Sequence, residues 1–204
     1  MTVRPLTLDD IADLRAYERE RDDFRRAVIA EKKVRRVTVG SLVTLNFESR
    51  TTVRFQVQEM ARAETLATDA QVQRELDVYN RLLPSPGELS ATLFLELTSE
   101  DQLRTWLPKL VGVERSCVLL IGEGSGARMV QSVPEQDHEV QLTRTEVTSA
   151  VHYVRFPFTP AEITAFAAGP ATLIVNHAEY PEGRPGVLLS DATRAVLVED
   201  LTEE

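Results

Sequence analysis

The stretch Leu42-Val-Thr-Leu-Asn-Phe-Glu-Ser-Arg50 runs directly into Thr51-Thr-Val-Arg-Phe-Gln-Val-Gln-Glu-Met-Ala-Arg-Ala-Glu-Thr-Leu66, and the fold turns on how this junction is read. The first half alternates Val43, Leu45 and Phe47 against Thr44, Asn46 and Glu48, the period of two that belongs to a strand. The second half admits two periods. Val53, Phe55 and Val57 alternate as a strand folding back on the first would, whereas Val53, Val57, Met60, Ala61 and Glu64 share one face of a helix. Sixteen residues without Gly or Pro, opened by Thr51-Thr52, favour the helix.

Upstream, Thr7 followed by Asp9 and Asp10 marks a helix start with Leu8, Ile11, Leu14 and Tyr17 inward, and a second helix is expected from about Asp22 through Lys33. Val34–Val39 reads as a strand hinged at Gly40 to the next. Downstream, Thr68-Asp-Ala-Gln71 is a capping box before the stripe Val72, Leu76, Tyr79, Leu83. Strands then dominate: Ala91–Leu97, Cys117–Ile121 with Ala127–Val133 as a hairpin, Val140–Leu142, Ala150–Phe158 and Ala171–Asn176. Helices are expected at Glu100–Leu110, after Thr159-Pro-Ala-Glu, and from Ser190-Asp-Ala to about Leu201. With helices early and strands late, the pattern predicts one α+β domain over residues 1–204. A helix-rich part (1–84) packs on a mainly antiparallel sheet from the strand-rich part (88–204). The short breaks Pro84-Ser-Pro-Gly and Glu182-Gly-Arg-Pro-Gly read as turns, not linkers.

Composition narrows the chemistry. The 204 residues are 43% hydrophobic and 27% charged, a globular balance. One cysteine, Cys117, excludes an intramolecular disulfide, a self-contained iron–sulfur cluster and a multi-cysteine zinc site. The N-terminus has no apolar h-region, and the longest aliphatic run, Val118 to Ile121, is too short to cross a bilayer, so a cytoplasmic protein is expected. The net charge of −9 is uneven: residues 1–66 hold 13 Lys/Arg against 11 Asp/Glu, and residues 67–204 hold 10 against 21. Arg25, Arg26, Lys32, Lys33, Arg35 and Arg36 cluster against Glu31 alone, as a phosphate-binding face or a solvated helix end would. The acidic whole weighs against nucleic acid.

Few motifs carry chemistry by themselves. Gly122-Glu-Gly-Ser-Gly126 lacks the spacing of a dinucleotide or P-loop fingerprint and reads as a hairpin turn. Cys117 lies in an apolar strand, where a thiol is inert. His138 falls in an acidic loop. His152 shares a strand face with Val154 and Phe156, opposite Val151, Tyr153 and Arg155. His177 ends the strand before it, and the two histidines converge if their strands are neighbours. On the 51–66 helix, Glu64 falls near the centre of the apolar face and Glu59 beside Phe55 and Leu66. A carboxylate there must pair, bind a metal or carry a raised pKa. Arg36, Arg50, Arg62 and Arg155 are the candidate partners. The chemical alternative makes Glu59, Glu64 and His152 acid/base groups and Glu64, His152 and His177 metal ligands.

The run Glu31-Lys-Lys-Val-Arg-Arg-Val-Thr-Val-Gly, the core Phe55-Gln-Val-Gln-Glu-Met-Ala-Arg-Ala-Glu64, Glu75-Leu-Asp-Val-Tyr-Asn80 and Val151-His-Tyr-Val-Arg-Phe156 together resemble the bacterial domain-of-unknown-function family 3501 over roughly residues 5–200. The resemblance implies no activity. It marks Glu48, Arg50, Gln56, Gln58, Arg62, Asn80 and Arg155 as binding candidates, with Glu59, Glu64 and His152. It also implies a setting, since such genes often neighbour rubrerythrin-like and iron–sulfur, heterodisulfide-reductase-like oxidoreductase genes. Two expectations follow. One is a non-catalytic accessory protein of an oxidative-stress or electron-transfer system, with a redox protein as partner. The other is a metal-dependent or acid/base enzyme on a small molecule, using Glu59 and Glu64 with His152 and His177.

Overall fold

The computed structural model describes residues 4–135 and 146–202. His138 and the expected strand Val140–Leu142 lie outside the described residues.

The chain opens with an extended arm and a 3-10 turn at Leu8–Asp10, closed by a capping box between Thr7 and Asp10. The helix expected from Thr7 amounts to this turn alone, and its later residues Leu14 and Tyr17 join the second expected helix in one: α1 runs unbroken from Leu14 to Arg35. Asp13 starts it by accepting from the amides of Arg15 and Ala16, and nothing between Asp13 and Gly40 stops it by backbone chemistry, since the segment has neither Gly nor Pro. β1 (Arg36–Val39) and β2 (Val43–Phe47) form the hairpin hinged at Gly40, whose φ is +60°.

The ambiguous segment is a helix. α2 spans Arg50–Ala63, capped by Ser49 and Thr52, and buries Val53, Val57, Gln58 and Ala61. α3 (Asp69–Tyr79) begins at the Thr68 capping box. β3 (Glu88–Leu95), α4 (Glu100–Trp106), β4 (Cys117–Ile121), β5 (Arg128–Gln131), a two-residue β6 (Val133–Pro134), β7 (Val151–Pro157), α5 (Pro160–Ala168), β8 (Ala171–Val175), β9 (Gly186–Leu188) and α6 (Asp191–Thr202) follow. The glycine-rich stretch makes the turn between β4 and β5, which pair as a hairpin.

The expected single sheet is two, each antiparallel throughout. The first has the order β1-β2-β3-β7-β6 and the second β5-β4-β8-β9. Both bury apolar residues in one shared core: Val43, Leu45, Phe47, Leu93 and Phe156 from the first meet Leu119, Ile121, Leu173 and Val175 from the second. Tyr180, in the loop after β8, ties the sheets together. Its hydroxyl donates to the Val39 carbonyl (2.7 Å) and accepts from the amides of Leu42 (3.0 Å) and Val43 (3.1 Å) across the β1–β2 hairpin. A Cβ on Gly40 would stand 2.8 Å from that ring, a second reason for glycine there.

The opposite face of the first sheet is covered by α1, α2 and α3. A smaller core of Leu6, Val53, Val57, Leu76, Leu82 and Leu83 sits beneath them, with Tyr153 of β7 packed against it. β2 is therefore buried on both sides. Its odd residues enter the main core, while Thr44, Asn46 and, one residue past its end, Glu48 face the helices.

Candidate functional site

Strand register assembles the site. Arg36 pairs with Asn46, Asn46 with Thr92, and Thr92 with Tyr153, so these four form one row across β1, β2, β3 and β7. Glu48 lies one row beyond, its amide donating to the Ser90 carbonyl (2.8 Å). Phe94 and Val151, paired with each other, lie one row to the other side. Lys32 from α1 and Gln56 from α2 stand over this floor and enclose a cavity of about 330 Å³.

Glu48 is the chemical centre of the cavity wall. Its side chain is buried, with 2% of the residue exposed. Oε1 accepts from Asn46 Nδ2 (3.2 Å) and Thr92 Oγ1 (2.6 Å), and Oε2 from Thr52 Oγ1 (2.5 Å) and Gln56 Nε2 (3.2 Å). Thr52 and Gln56 are four residues apart and so face the same way from α2. These four donors fill the lone-pair positions of the carboxylate, yet all are neutral, and no ion pair reaches it among the described residues. Burial and the charge of Glu48 together push the Tyr153 phenol above its ordinary pKa. Because the Asn46 and Gln56 amides point their nitrogens at Glu48, their carbonyl oxygens are turned away from it, and neither accepts a hydrogen bond among the described residues.

A second cavity, about 340 Å³, adjoins the first and shares Lys32 and Gln56 with it. It is lined by Phe55, Met60 and Tyr79, with Glu59 and Arg62. The Lys32 ammonium lies 5.9 Å from the centre of the Phe55 ring.

Of the residues marked in the sequence, Glu48 and Gln56 meet in the first cavity, and Glu59 and Arg62 line the second. Glu59 is held in an ion pair: it accepts from Arg21 Nε (2.8 Å), Arg21 Nη2 (2.9 Å) and the Tyr17 hydroxyl (2.7 Å), with Arg62 Nε at 3.4 Å. The Arg21 guanidinium holds its pKa down to about 2, so it is a fixed anion at neutral pH. Arg21 was not among the expected partners. Arg36 pairs with Glu96 (2.7 Å), Arg50 with Asp10 (2.8 Å) and Arg155 with Glu88.

Glu64 is not on the apolar face. The helix ends at Ala63, and Glu64 is its exposed C-cap, so extending the period one turn further placed it wrongly. His152 does share its face with Val154 and Phe156, which turns it into the main core. There Nε2 lies 2.9 Å from both the Thr148 hydroxyl and the Ser149 carbonyl, and burial lowers its pKa. A carbonyl only accepts, so Nε2 carries the ring proton. His177 lies in the loop just past β8 of the other sheet, not at the strand's end, bonded to the Val111 carbonyl (3.0 Å) and the Glu179 amide (3.2 Å). Because β7 and β8 lie in different sheets, the two histidines are not strand neighbours, and Glu64, His152 and His177 do not form a ligand set. Cys117 is buried and its thiol is pushed up to about 12.

The remaining marked residues hold backbone. Gln58, with no exposed surface, clamps Ala12: Nε2 donates to its carbonyl and Oε1 accepts from its amide, each at 2.9 Å. Asn80 holds Leu6 in the same two-bonded way (2.8 and 2.9 Å). Arg50 donates to the Arg4 carbonyl (3.2 Å), and Arg155 to that of Arg81. Asn46, Thr52, Thr92, Tyr153 and the position of Lys32 over the floor were missed. The alternation of β2 had placed Asn46 and Glu48 on one side, but only cross-strand register brings Thr92 and Tyr153 to them.

A two-sheet α+β domain with a polar row beneath its helices thus defines the class. The chain belongs to the family described as "Protein of unknown function (DUF3501)", whose model matches residues 5–201. It is similar to the crystal structure of a novel protein of unknown function from Burkholderia pseudomallei K96243, at 34% identity and TM-score 0.87, over 97% of this chain and 100% of that one. No curated protein matches it.

Proposed function

We propose that this protein is a non-catalytic accessory protein that holds a small polar molecule in the cavity over Glu48, in the service of a cytoplasmic redox partner. The observation that carries the reading is the row Arg36-Asn46-Thr92-Tyr153. A sheet face covered by helices is ordinarily apolar, and here it is polar where it borders a cavity of about 330 Å³, the size range of small-molecule sites. The marked residues outside the cavity support a binding rather than a catalytic role, because Gln58, Asn80, Arg50 and Glu59 are all engaged in holding the helices and the arm. The redox partner rests on the gene setting that the family resemblance implies. The inert Cys117 leaves electron transfer to that partner's own cofactor.

Native mass spectrometry of gently purified, untagged protein tests the cavity. A small organic adduct is expected on the wild type and not on Glu48→Gln. A clean apo mass, together with no thermal shift across a panel of small metabolites, sinks the reading. Affinity capture under reducing and oxidising conditions tests the partner, and recovery of no oxidoreductase in either condition removes that part.

A further inference from the structure

Resting on that cavity reading, we infer that the ligand is an organic cation, its charged nitrogen at Glu48 and an apolar body along Phe55, Met60 and Tyr79. Three observations converge. First, Glu48 is a buried carboxylate met only by neutral donors, and a buried charge without a counter-charge is unfavourable by several kcal/mol. A cation entering the cavity supplies that counter-charge. Second, the amides that solvate Glu48 turn the Asn46 and Gln56 carbonyl oxygens elsewhere, and these suit the N–H groups of an ammonium or amidinium. Third, the adjoining compartment presents a ring face that already attracts a cation: the Lys32 ammonium stands 5.9 Å from the Phe55 centroid, at the boundary between the two compartments.

Lys32 stands at the edge of this site without pairing with Glu48. It lines both compartments, and no ion pair engages it among the described residues, so it is free to turn towards solvent when a cation enters. Arg36, the other cation on the floor, is engaged by Glu96 at 2.7 Å and is exposed, so it does not neutralise Glu48.

The test is titration calorimetry of the full chain with three probes of similar shape: phenethylammonium, phenethyl alcohol and phenylpropionate. Phenethylammonium is expected to bind most tightly. Glu48→Gln is expected to weaken it by about tenfold or more, through loss of the counter-charge, and to leave phenethyl alcohol unchanged. Lys32→Met, on the cavity rim, is expected to tighten phenethylammonium by about threefold through loss of a like charge. This variant keeps the inference testable if Glu48→Gln does not fold. Tighter binding of phenylpropionate than of phenethylammonium, lost in Lys32→Met, overturns the inference while the small-molecule cavity stands. Failure of all three probes to bind, on a protein that also gives a clean native mass, removes the inference and the cavity reading together.

Discussion

Glu59 and Glu64 are five residues apart in one sequence motif, and their fates differ because one has an arginine within reach and the other has run off the end of a helix. The Glu59 pairing has a pH consequence. Its carboxyl lies near 4.5 when unfolded and about 2 when folded, so its contribution to stability is complete above pH 4.5 and is lost as pH falls towards 2. That contribution is roughly 3 kcal/mol at most. Glu59→Gln should flatten the acid limb of the stability curve in that window, as measured by urea unfolding at several pH values. Cys117 gives a second residue-scale prediction: its thiol should be silent to a thiol reagent in buffer and react at once in denaturant. At this scale the sequence was informative about residue type and silent about partners. That Glu59 needed an arginine was legible; that the arginine is Arg21, on another helix 38 residues earlier, required the packing of α1 on α2.

Helices and strands were legible wherever they had start signals. The capping boxes at Thr68 and Thr159 and the glycine at position 40 all mark real element ends. The misses have local causes. β6 and β9, with two and three residues, are too short to show any period, and β9 follows the Pro185 that made its surroundings read as a turn. The continuity of α1 was hidden by its charge, since an acidic and basic run such as Glu18 to Asp23 carries no apolar stripe. The N-terminal arm makes a prediction at this scale. Two amide side chains, Gln58 and Asn80, each pair with one backbone unit of the arm as a strand would. Gln58→Ala should destabilise the protein by about 2 kcal/mol, since it leaves the Ala12 amide and carbonyl without partners. Hydrogen exchange should then quicken at Ala12 and its neighbours, while the main core stays protected.

The division into two sheets was not legible, because strand order is a property of pairing across long loops and no residue pattern encodes it. The α+β class was legible from the order of helices and strands. Beside the shared apolar core, one phenol ties the second sheet's loop to the first sheet's hairpin. Tyr180→Phe strips one acceptor and two donors of their bonds at the β1–β2 hairpin and should destabilise the whole protein by about 3 kcal/mol, read as a lower urea midpoint with an unchanged slope. His152 gives the molecule a second, earlier acid limb. It is held neutral in the core, so below its unfolded pKa of 6.5 the unfolded chain takes up a proton that the folded chain resists, and stability falls.

The two-faced burial of β2 governs how such a protein can change. Val43, Leu45 and Phe47 belong to packing, and Asn46 and Glu48, interleaved with them, belong to the cavity. Point substitutions at the even positions change the lining of the cavity and leave the residues of the main core in place. A single inserted or deleted residue within the strand does the opposite: it delivers Asn46 and Glu48 into the oil of the sandwich and Leu45 and Phe47 into the cavity. In this segment the reading frame of the strand is inherited as a unit, and only its spelling is free to vary.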